Sequence, residues 1–487
     1  SKICIRASIY EKGKLIMTIQ QYLKQKGFDT IDMSFYSQME RWHQWYQGNV
    51  KRFHNYETYN GKQKVMCKRL SLQMAKKVCE DWANLLMNEK VAITISGNKE
   101  QQFIDEVLKN NNFLVKVNES QEYKAAYGTV AYVPYMQNIE IEKDTGKVTG
   151  NANIKDIHIN YITGDLIFPL SWENGKIKEC AFGAIKVIEG KEYFYLQMHT
   201  LEYGYYIITN LLFDNTNGQM LEIENINSIK GFENIAERIA TKTDKPQFVI
   251  DRMNIVNNID KNNPMGISVF ANSIDVLKAL DIVFDSYNTE FILGRKRIMV
   301  TEEALKIEDG QMVFDPNDIT FHRLPSTIND ENYIKEIDLS LRATEHEIAL
   351  QNKLNLLSAK CGFGENHYKF DQGSIATATQ IVSENSSLFR TLKKHEIILE
   401  CAIKELIQIL LWLGNQYLNL SLNENVEITI DFDDSIIEDR QTELTDMRLD
   451  VASQIIKPEF YIMKKYKVDE QTAKSMLAEQ NEVTEVY

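Results

Sequence analysis

The spacing of apolar residues divides the chain into helical stretches on either side of a strand-rich middle. From Gly13 to about Val91 the pattern reads as helix. Leu70, Met74, Val78, Trp82, Leu85 and Leu86 recur at helical spacing, with Ser71 placed as a possible cap. A further helix fits Lys99 to Asn110. From about Asn112 to Ile223 the period changes to short apolar or alternating runs: Phe113–Val117, Ile154–Ile159, Ala181–Val187 and Tyr193–Met198. Asp144-Thr145-Gly146, Glu173-Asn174-Gly175 and Glu189-Gly190 separate runs of this kind, so a meander of antiparallel strands is expected. Asn225 to Pro246 is polar and reads as a loop or short helix.

Beyond Asn262-Asn263-Pro264-Met265-Gly266 the helical period returns. Phe270, Ile274, Leu277, Asp281, Phe284, Tyr287 and Phe291 form one stripe in which only Asp281 is charged. Asn263 or Ser268 offers its cap. Arg295 to Leu324 reads as short strands, turning at Asp309-Gly310 and Asp315-Pro316-Asn317. A second helix is expected from Asn329 to Leu357, with Ile334, Ile337, Leu341 and Ile348 on one side. Gly362, Gly364 and Gly373 then break the chain into a mobile-looking loop, Cys361 to Gly373. Ser374 is placed to cap a helix reaching Leu413, roughly 60 Å long at ~1.5 Å per residue. A strand, Val426 to Phe432, precedes a helical tail over Asp439–Ala452, Lys457–Met463 and Asp469–Glu479. The whole is an α+β pattern without internal repeats.

Composition sharpens this. The 487 residues are 44% hydrophobic, an ordinary globular balance that excludes a disordered or fibrous chain. Gly (22) and Pro (7) are scarce, which favours long helices. With 55 Lys and Arg against 69 Asp and Glu, the net charge is −14. That disfavours a protein gripping nucleic acid over its whole surface, yet allows one past which nucleic acid slides. The six cysteines, at positions 4, 67, 79, 180, 361 and 401, make no CxxC pair or zinc spacing and suit a reducing compartment. No membrane span is expected, since the most apolar stretch, Ile397 to Leu413, carries Glu400, Lys404 and Glu405. Ser1 to Tyr10 lacks a signal-peptide core, and the expectation is a chain that is intracellular when made.

No catalytic motif is complete. His346-Glu347 and His395-Glu396 open like HExxH, but Leu350 and Leu399 replace the second His, and both His are expected on helix surfaces. Gly362-Phe363-Gly364 lacks the third glycine and the preceding strand of a phosphate cradle. The acidic cluster Asp431, Asp433, Asp434 and Asp439 has oxygen ligands for a divalent ion, but Ile436 stands where an EF-hand needs Gly. Asp434 or Asp439 as a helix cap is the plainer reading; a metal-dependent hydrolase built on Asp431–Asp439 is the alternative. Trp42-His43-Gln44-Trp45-Tyr46 has the stacking faces to hold bases, yet fits packing better. Arg295, Lys296 and Arg297 form a basic patch, either complementing a helix C-terminus or meeting phosphates or an acidic partner.

In order and spacing the segments resemble the portal proteins of tailed bacteriophages, of the type found in phages of Gram-positive bacteria. The resemblance is carried by Trp42 to Gly48 with Lys68-Arg69-Leu70-Ser71-Leu72 through Cys79-Glu80-Asp81-Trp82-Ala83, by Pro264-Met265-Gly266-Ile267-Ser268 and the helix after it, and by Phe432-Asp433-Asp434-Ser435-Ile436 with Asp439 and the tail. It covers nearly the whole chain.

That resemblance implies a ring subunit without catalytic site or cofactor: an α/β wing, two long stem helices around a small β clip, and a helical crown. Carried onto this chain, the wing is residues 1–265, the first stem helix 266–293, the clip 294–328 and the second stem helix 329–358. The tunnel loop is 361–373, the spine helix and wing strand 374–432, and the crown 433–487. The implied function is a homo-oligomeric ring, usually a dodecamer, at one capsid vertex of the virion, assembled in the host cytoplasm. Double-stranded DNA passes through it in packaging and ejection. The implied partners are the major capsid protein, the terminase motor (no Walker motif is present here) and a head–tail adaptor. Lys360, Gly362, Gly364, Lys369 and Gly373 would face DNA, and Arg295, Lys296 and Arg297 would meet motor or adaptor. Lys360 and Lys369 read equally well as solvated lysines.

Overall fold

The computed structural model describes residues 19–88, 91–137, 152–214, 220–233, 235–294, 297–300, 307–308, 311–312, 321–323, 334–337, 340–369, 378–432, 440–466 and 470–483. It is a mixture of helix and sheet. Residues 19–25 are helical, and the helices after them are α1 (Met33–Tyr46), α2 (Met74–Leu86), α3 (Asn98–Asn110), α4 (Phe113–Tyr127), α5 (Ile274–Leu293), α6 (Ala343–Lys360), α7 (Ala378–Leu418), α8 (Arg440–Ala452), α9 (Pro458–Tyr466) and α10 (Glu470–Val483).

One core joins α1–α4, the middle strands, the root of α5 and the stripe Leu399, Ile403, Leu406, Ile407 and Leu410 of α7. Trp42 and Trp45 lie inside it, so both tryptophans of the aromatic run pack the core and are not available to stack on bases, while His43 and Tyr46 are half-buried.

The strand-rich middle holds an antiparallel sheet of β6 (Ile167–Glu173), β7 (Lys176–Ile188), β8 (Lys191–Glu202), β9 (Tyr205–Asp214) and β10 (Leu221–Glu222) in sequential order, with β11 (Arg238–Ala240) also on β9. Beside it, β4 (Thr129–Met136) is flanked by β5 (Ile157–Thr163) and β12 (Val249–Arg252). The expected meander is there, but it starts later. Phe113–Val117 is not a strand; it opens α4, and Asn112, at φ 48°, separates that helix from α3. Five crowded apolar residues carry no readable period, and the buried face that decides the matter is Phe113, Val117, Ser120, Gln121 and Lys124.

Lys124 and Asp251 tie α4 to β12 inside the core. The Nζ lies 3.0 and 3.1 Å from the two carboxylate oxygens, and Gln121 and Tyr132 donate to the same group. Burial draws the Lys124 ammonium down from its ordinary value and Asp251 opposes that. Gly128 and Gly266 touch backbone to backbone. A Cβ on Gly266 would lie 2.3 Å from the Gly128 carbonyl oxygen, which gives the Pro264-Met265-Gly266 segment its glycine.

The helical reading of Gly13–Val91 fails over one stretch. Asn55–Tyr59 (β1) and Lys64–Lys68 (β2) form an antiparallel hairpin closed at Asn60-Gly61. Downstream, Ala92–Ile95 (β3) pairs with Ile428–Asp431 (β18), the return strand expected near Val426.

The helix α5 begins at Ile274 after a 3-10 turn, eight residues beyond Gly266. The second helix also starts late. Ile334–Ile337 (β17) is a strand antiparallel to Arg297–Val300 (β13), which pairs in parallel with Phe321–Arg323 (β16). The spacing of Ile334 and Ile337 fits a helical turn, but pairing with β13 takes their backbone, and helix resumes only at Ala343. Ile307–Glu308 (β14) and Gln311–Met312 (β15) complete this small β insertion. Ser374 and its expected cap lie outside the described residues; α7 is seen from Ala378 to Leu418.

Candidate functional site

The region that stands apart from an ordinary core is the helix pair α5 and α6 and the place where it enters the body. Three contacts set the pair antiparallel. At the far end Arg342 donates to Glu290 through Nε (3.0 Å) and Nη2 (2.8 Å). That clamp holds the Glu290 carboxyl down at about 2. One turn nearer the root the His346 ring lies 5.6 Å from Tyr287. At the root the Cys361 thiol meets the Ser273 hydroxyl at 3.7 Å. Along the pair and just past the Glu290 clamp, Ile282, Ile292, Leu293, Ile348 and Leu356 are exposed, each by more than 45%.

The root of α5 is polar. Asp281, 4% exposed, accepts from the Leu72 N–H at 2.7 Å, from His54 Nε2 at 2.8 Å and from the Ser71 hydroxyl at 3.2 Å. His54 Nδ1 accepts from the Val50 N–H at 2.7 Å, which places the ring proton on Nε2. One turn on, Asp285 accepts from the Leu70 N–H at 3.0 Å. Ser71 is therefore an anchor for α5 and not the cap of α2, whose cap position is Gln73.

The end of α6 folds back onto α2. Trp82 Nε1 donates to the Cys361 carbonyl at 3.0 Å, and the Trp82 ring stacks on buried Phe363 at 4.9 Å. The Ser358 hydroxyl donates to the Gly364 carbonyl at 2.6 Å, and the Phe363 N–H returns to the Ser358 carbonyl. Gly362 takes φ +90°, and a Cβ there would lie 2.8 Å from Thr391 Cγ2. Residues 361–364 are thus a packed cap, in place of the mobile start of a loop. Tyr368 donates to Asp81 at 3.0 Å and His367 stacks on Phe363. Burial pushes the Asp81 carboxyl up, but His367, Lys77 and Tyr368 together hold it below its ordinary value. Burial pushes the Cys361 thiol up to about 12. His395, expected on a helix surface, lies beneath Trp82 at 2% exposure, where its Nδ1 accepts from the Asn254 N–H. Desolvation, with Lys124 and Lys394 nearby, draws it down to about 3.

Of the residues expected to face DNA, Gly362 and Gly364 belong to this cap, with Gly364 buried. Lys360 and Lys369 are exposed at its two ends, and Gly373 lies outside the described residues. Arg295 and Lys296 also lie outside them; Arg297 opens β13, its backbone opposite Ile337. The acidic cluster is described only at Asp431, an exposed residue at the end of β18. Among the described residues no group of three His, Cys, Asp or Glu is placed to hold a metal, and no helix is long and apolar enough to cross a membrane. The anchor residues Asp281 and His54 were missed as a pair. The signal for the first was a lone carboxylate in an apolar stripe; nothing local marks the second.

The family described as "Phage portal protein, SPP1 Gp6-like" matches the chain over residues 26–486. No curated protein matches it. Among solved structures, a chain of "Neck of native GTA particle computed with C12 symmetry" is similar over 80% of this chain and 89% of that one, at 10% identity and a TM-score of 0.40.

Proposed function

From a chain that belongs to the phage portal protein family, a family of structural proteins and not of enzymes, we propose a subunit of a homo-oligomeric portal ring in the virion. In this reading the ring, of about a dozen copies, sits at one capsid vertex as the channel for double-stranded DNA in packaging and ejection. Residues 1–265 and the strand β18 form its wing, α5 and α6 its stem, the β insertion between them its clip, and α8 to α10 its crown. Capsid protein would meet the wing; terminase motor and head–tail adaptor would meet the clip, beginning at Arg295, Lys296 and Arg297.

One observation carries the reading beyond family membership. The pair α5–α6 is clamped at both ends, yet keeps aliphatic side chains in water at Ile282, Ile292, Leu293, Ile348 and Leu356. Among the described residues nothing covers them, whereas neighbours in a ring would, through two different surfaces meeting head to tail. On α6, Glu345 and Glu347 are exposed, while Arg342 is taken by Glu290. Acidic side chains lining a channel repel phosphate and let DNA pass without sticking. Lys360, Lys369 and Gly373 then bracket the loop nearest the DNA, with Gly362 and Gly364 as its fixed root.

Native mass spectrometry and negative-stain images of the full chain test this. A closed ring with a central hole is expected. A chain that stays monomeric even when produced with its capsid and scaffold proteins refutes it. A pull-down of motor or adaptor with Arg295, Lys296 and Arg297 all changed to Ala should lose its catch while the ring persists; undiminished capture removes the clip assignment.

A further inference from the structure

Seven of the ten strand residues of the β1–β2 hairpin are exposed. Among the described residues it forms a two-stranded sheet by itself, with no third strand on either edge. On one face Tyr59 and Met66 are diagonal neighbours, 67% and 59% exposed, beside exposed Lys68 and the pair Lys64–Glu57 at 3.3 Å. On the other, Tyr56, Val65 and Cys67 are only half covered. A lone hairpin in water is marginal at best. This one is nevertheless held firmly at its base. The Arg69 guanidinium lies over Phe53 at 4.4 Å and Tyr56 at 4.9 Å and donates to the Phe53 carbonyl. Through His54–Asp281 and Leu70–Asp285 that base is bonded to α5. At the tip, the Asn60 side chain accepts from the Lys62 and Gln63 N–H groups. The hairpin is therefore fixed at its base, with one face open and the other half covered.

Its charge is opposite to the rest of the molecule. Residues 51–69 hold six bases (Lys51, Arg52, Lys62, Lys64, Lys68, Arg69) and one acid (Glu57), a net +5 in a chain of −14, so the remainder carries −19. Two anions answer such a surface, nucleic acid or an acidic protein face. Phosphate would satisfy the lysines but leave Tyr59 and Met66 in water. A protein face satisfies both, and aromatic residues and Met are the side chains interfaces favour. In a ring whose contacts are head to tail, each copy offers its neighbour a surface unlike its own. The acidic complement is then the same chain.

We propose that the β1–β2 hairpin reaches over the neighbouring copy of this chain, seating Tyr59 and Met66 and setting Lys62 and Lys68 against its carboxylates. The inference rests on the ring reading and names one of its contacts. A full-length chain carrying a photoreactive phenylalanine in place of Tyr59 should give, on illumination of the assembled sample, covalent dimers whose joined peptide lies outside residues 51–69. The pairs Tyr59→Ser with Met66→Ser, and Lys62→Glu with Lys68→Glu, should each raise the concentration for half assembly by about tenfold or more, with unaltered circular dichroism. A wild type that assembles while both pairs assemble equally well overturns this inference alone. So does cross-linking only to DNA. A wild type that never assembles removes the ring reading and this contact with it.

Discussion

Replacing Asp281 with Asn is expected to destabilise the protein by about 2–3 kcal/mol, and the geometry says why. The carboxylate is 4% exposed and accepts three hydrogen bonds. Asn keeps one acceptor oxygen, which serves the Leu72 N–H at 2.7 Å. Its amide then points two hydrogens at His54 Nε2 and the Ser71 hydroxyl. Ser71 rotates to accept. His54 cannot, because turning Nε2 into an acceptor moves the ring proton to Nδ1, where the Val50 N–H already donates. One charge-assisted bond is replaced by a buried donor facing a donor, and a second is weakened. Urea unfolding followed by tryptophan fluorescence reads this locally, because Trp45 lies 5.6 Å from the His54 ring. Asp275→Asn is the control: it sits on the same helix, its side chain is 92% exposed, and it pairs only with Lys278. It should change stability by less than about 0.5 kcal/mol. If the two variants unfold alike, the buried anchor contributes nothing and the account of the helix root is wrong.

His199 and His395, both held down to about 3 by burial, bind a proton only on unfolding. Their contribution is complete above the ordinary histidine value and is lost as pH falls from there toward 3, about 2 kcal/mol each by pH ~5. Urea midpoints at pH ~7.5 and ~5 should converge in His199→Phe relative to wild type; an unchanged pH slope contradicts this. Gly362→Ala should cost about 2–4 kcal/mol, from a left-handed φ and a Cβ 2.8 Å from Thr391. Gly190→Ala, with φ +80° and open space around it, should show the strain alone, and equal losses at the two sites would show that the cap is not tightly packed.

The sequence was most readable where one period runs long. The stripe of α5, the strands β7 and β8 and the helix α3 stand close to where spacing put them, because each has enough turns or alternations for the apolar face to declare itself. It was least readable in short crowded runs. Phe113–Val117 looks like a strand for want of a visible period. The reading of Gly13–Val91 as helix overlooked Asn60-Gly61, a strong local hairpin signal that needed weighing against the aromatic helix before it. Ile334–Ile337 satisfies helical spacing locally, and only its distant partner Arg297–Val300 makes it a strand.

At the helix root the difficulty is of another kind. Asp281 announced itself as a charge in an apolar stripe, which in a folded chain means a buried bond to something polar. Its partner His54 lies 227 residues away and Ser71 lies 210 away, with no spacing rule connecting them. The choice of polar partners there has a physical reason. Apolar contacts along a helix are nondirectional and tolerate small rotations and slides. Three hydrogen bonds to one carboxylate fix the rotation of α5, and the Trp82–Cys361 bond with the Gly362 cap fixes the end of α6. In the proposed ring, a helix pair presenting aliphatic residues to identical neighbours would gain from a fixed rotation, because any error in that angle would be repeated by every copy and would keep the ring from closing.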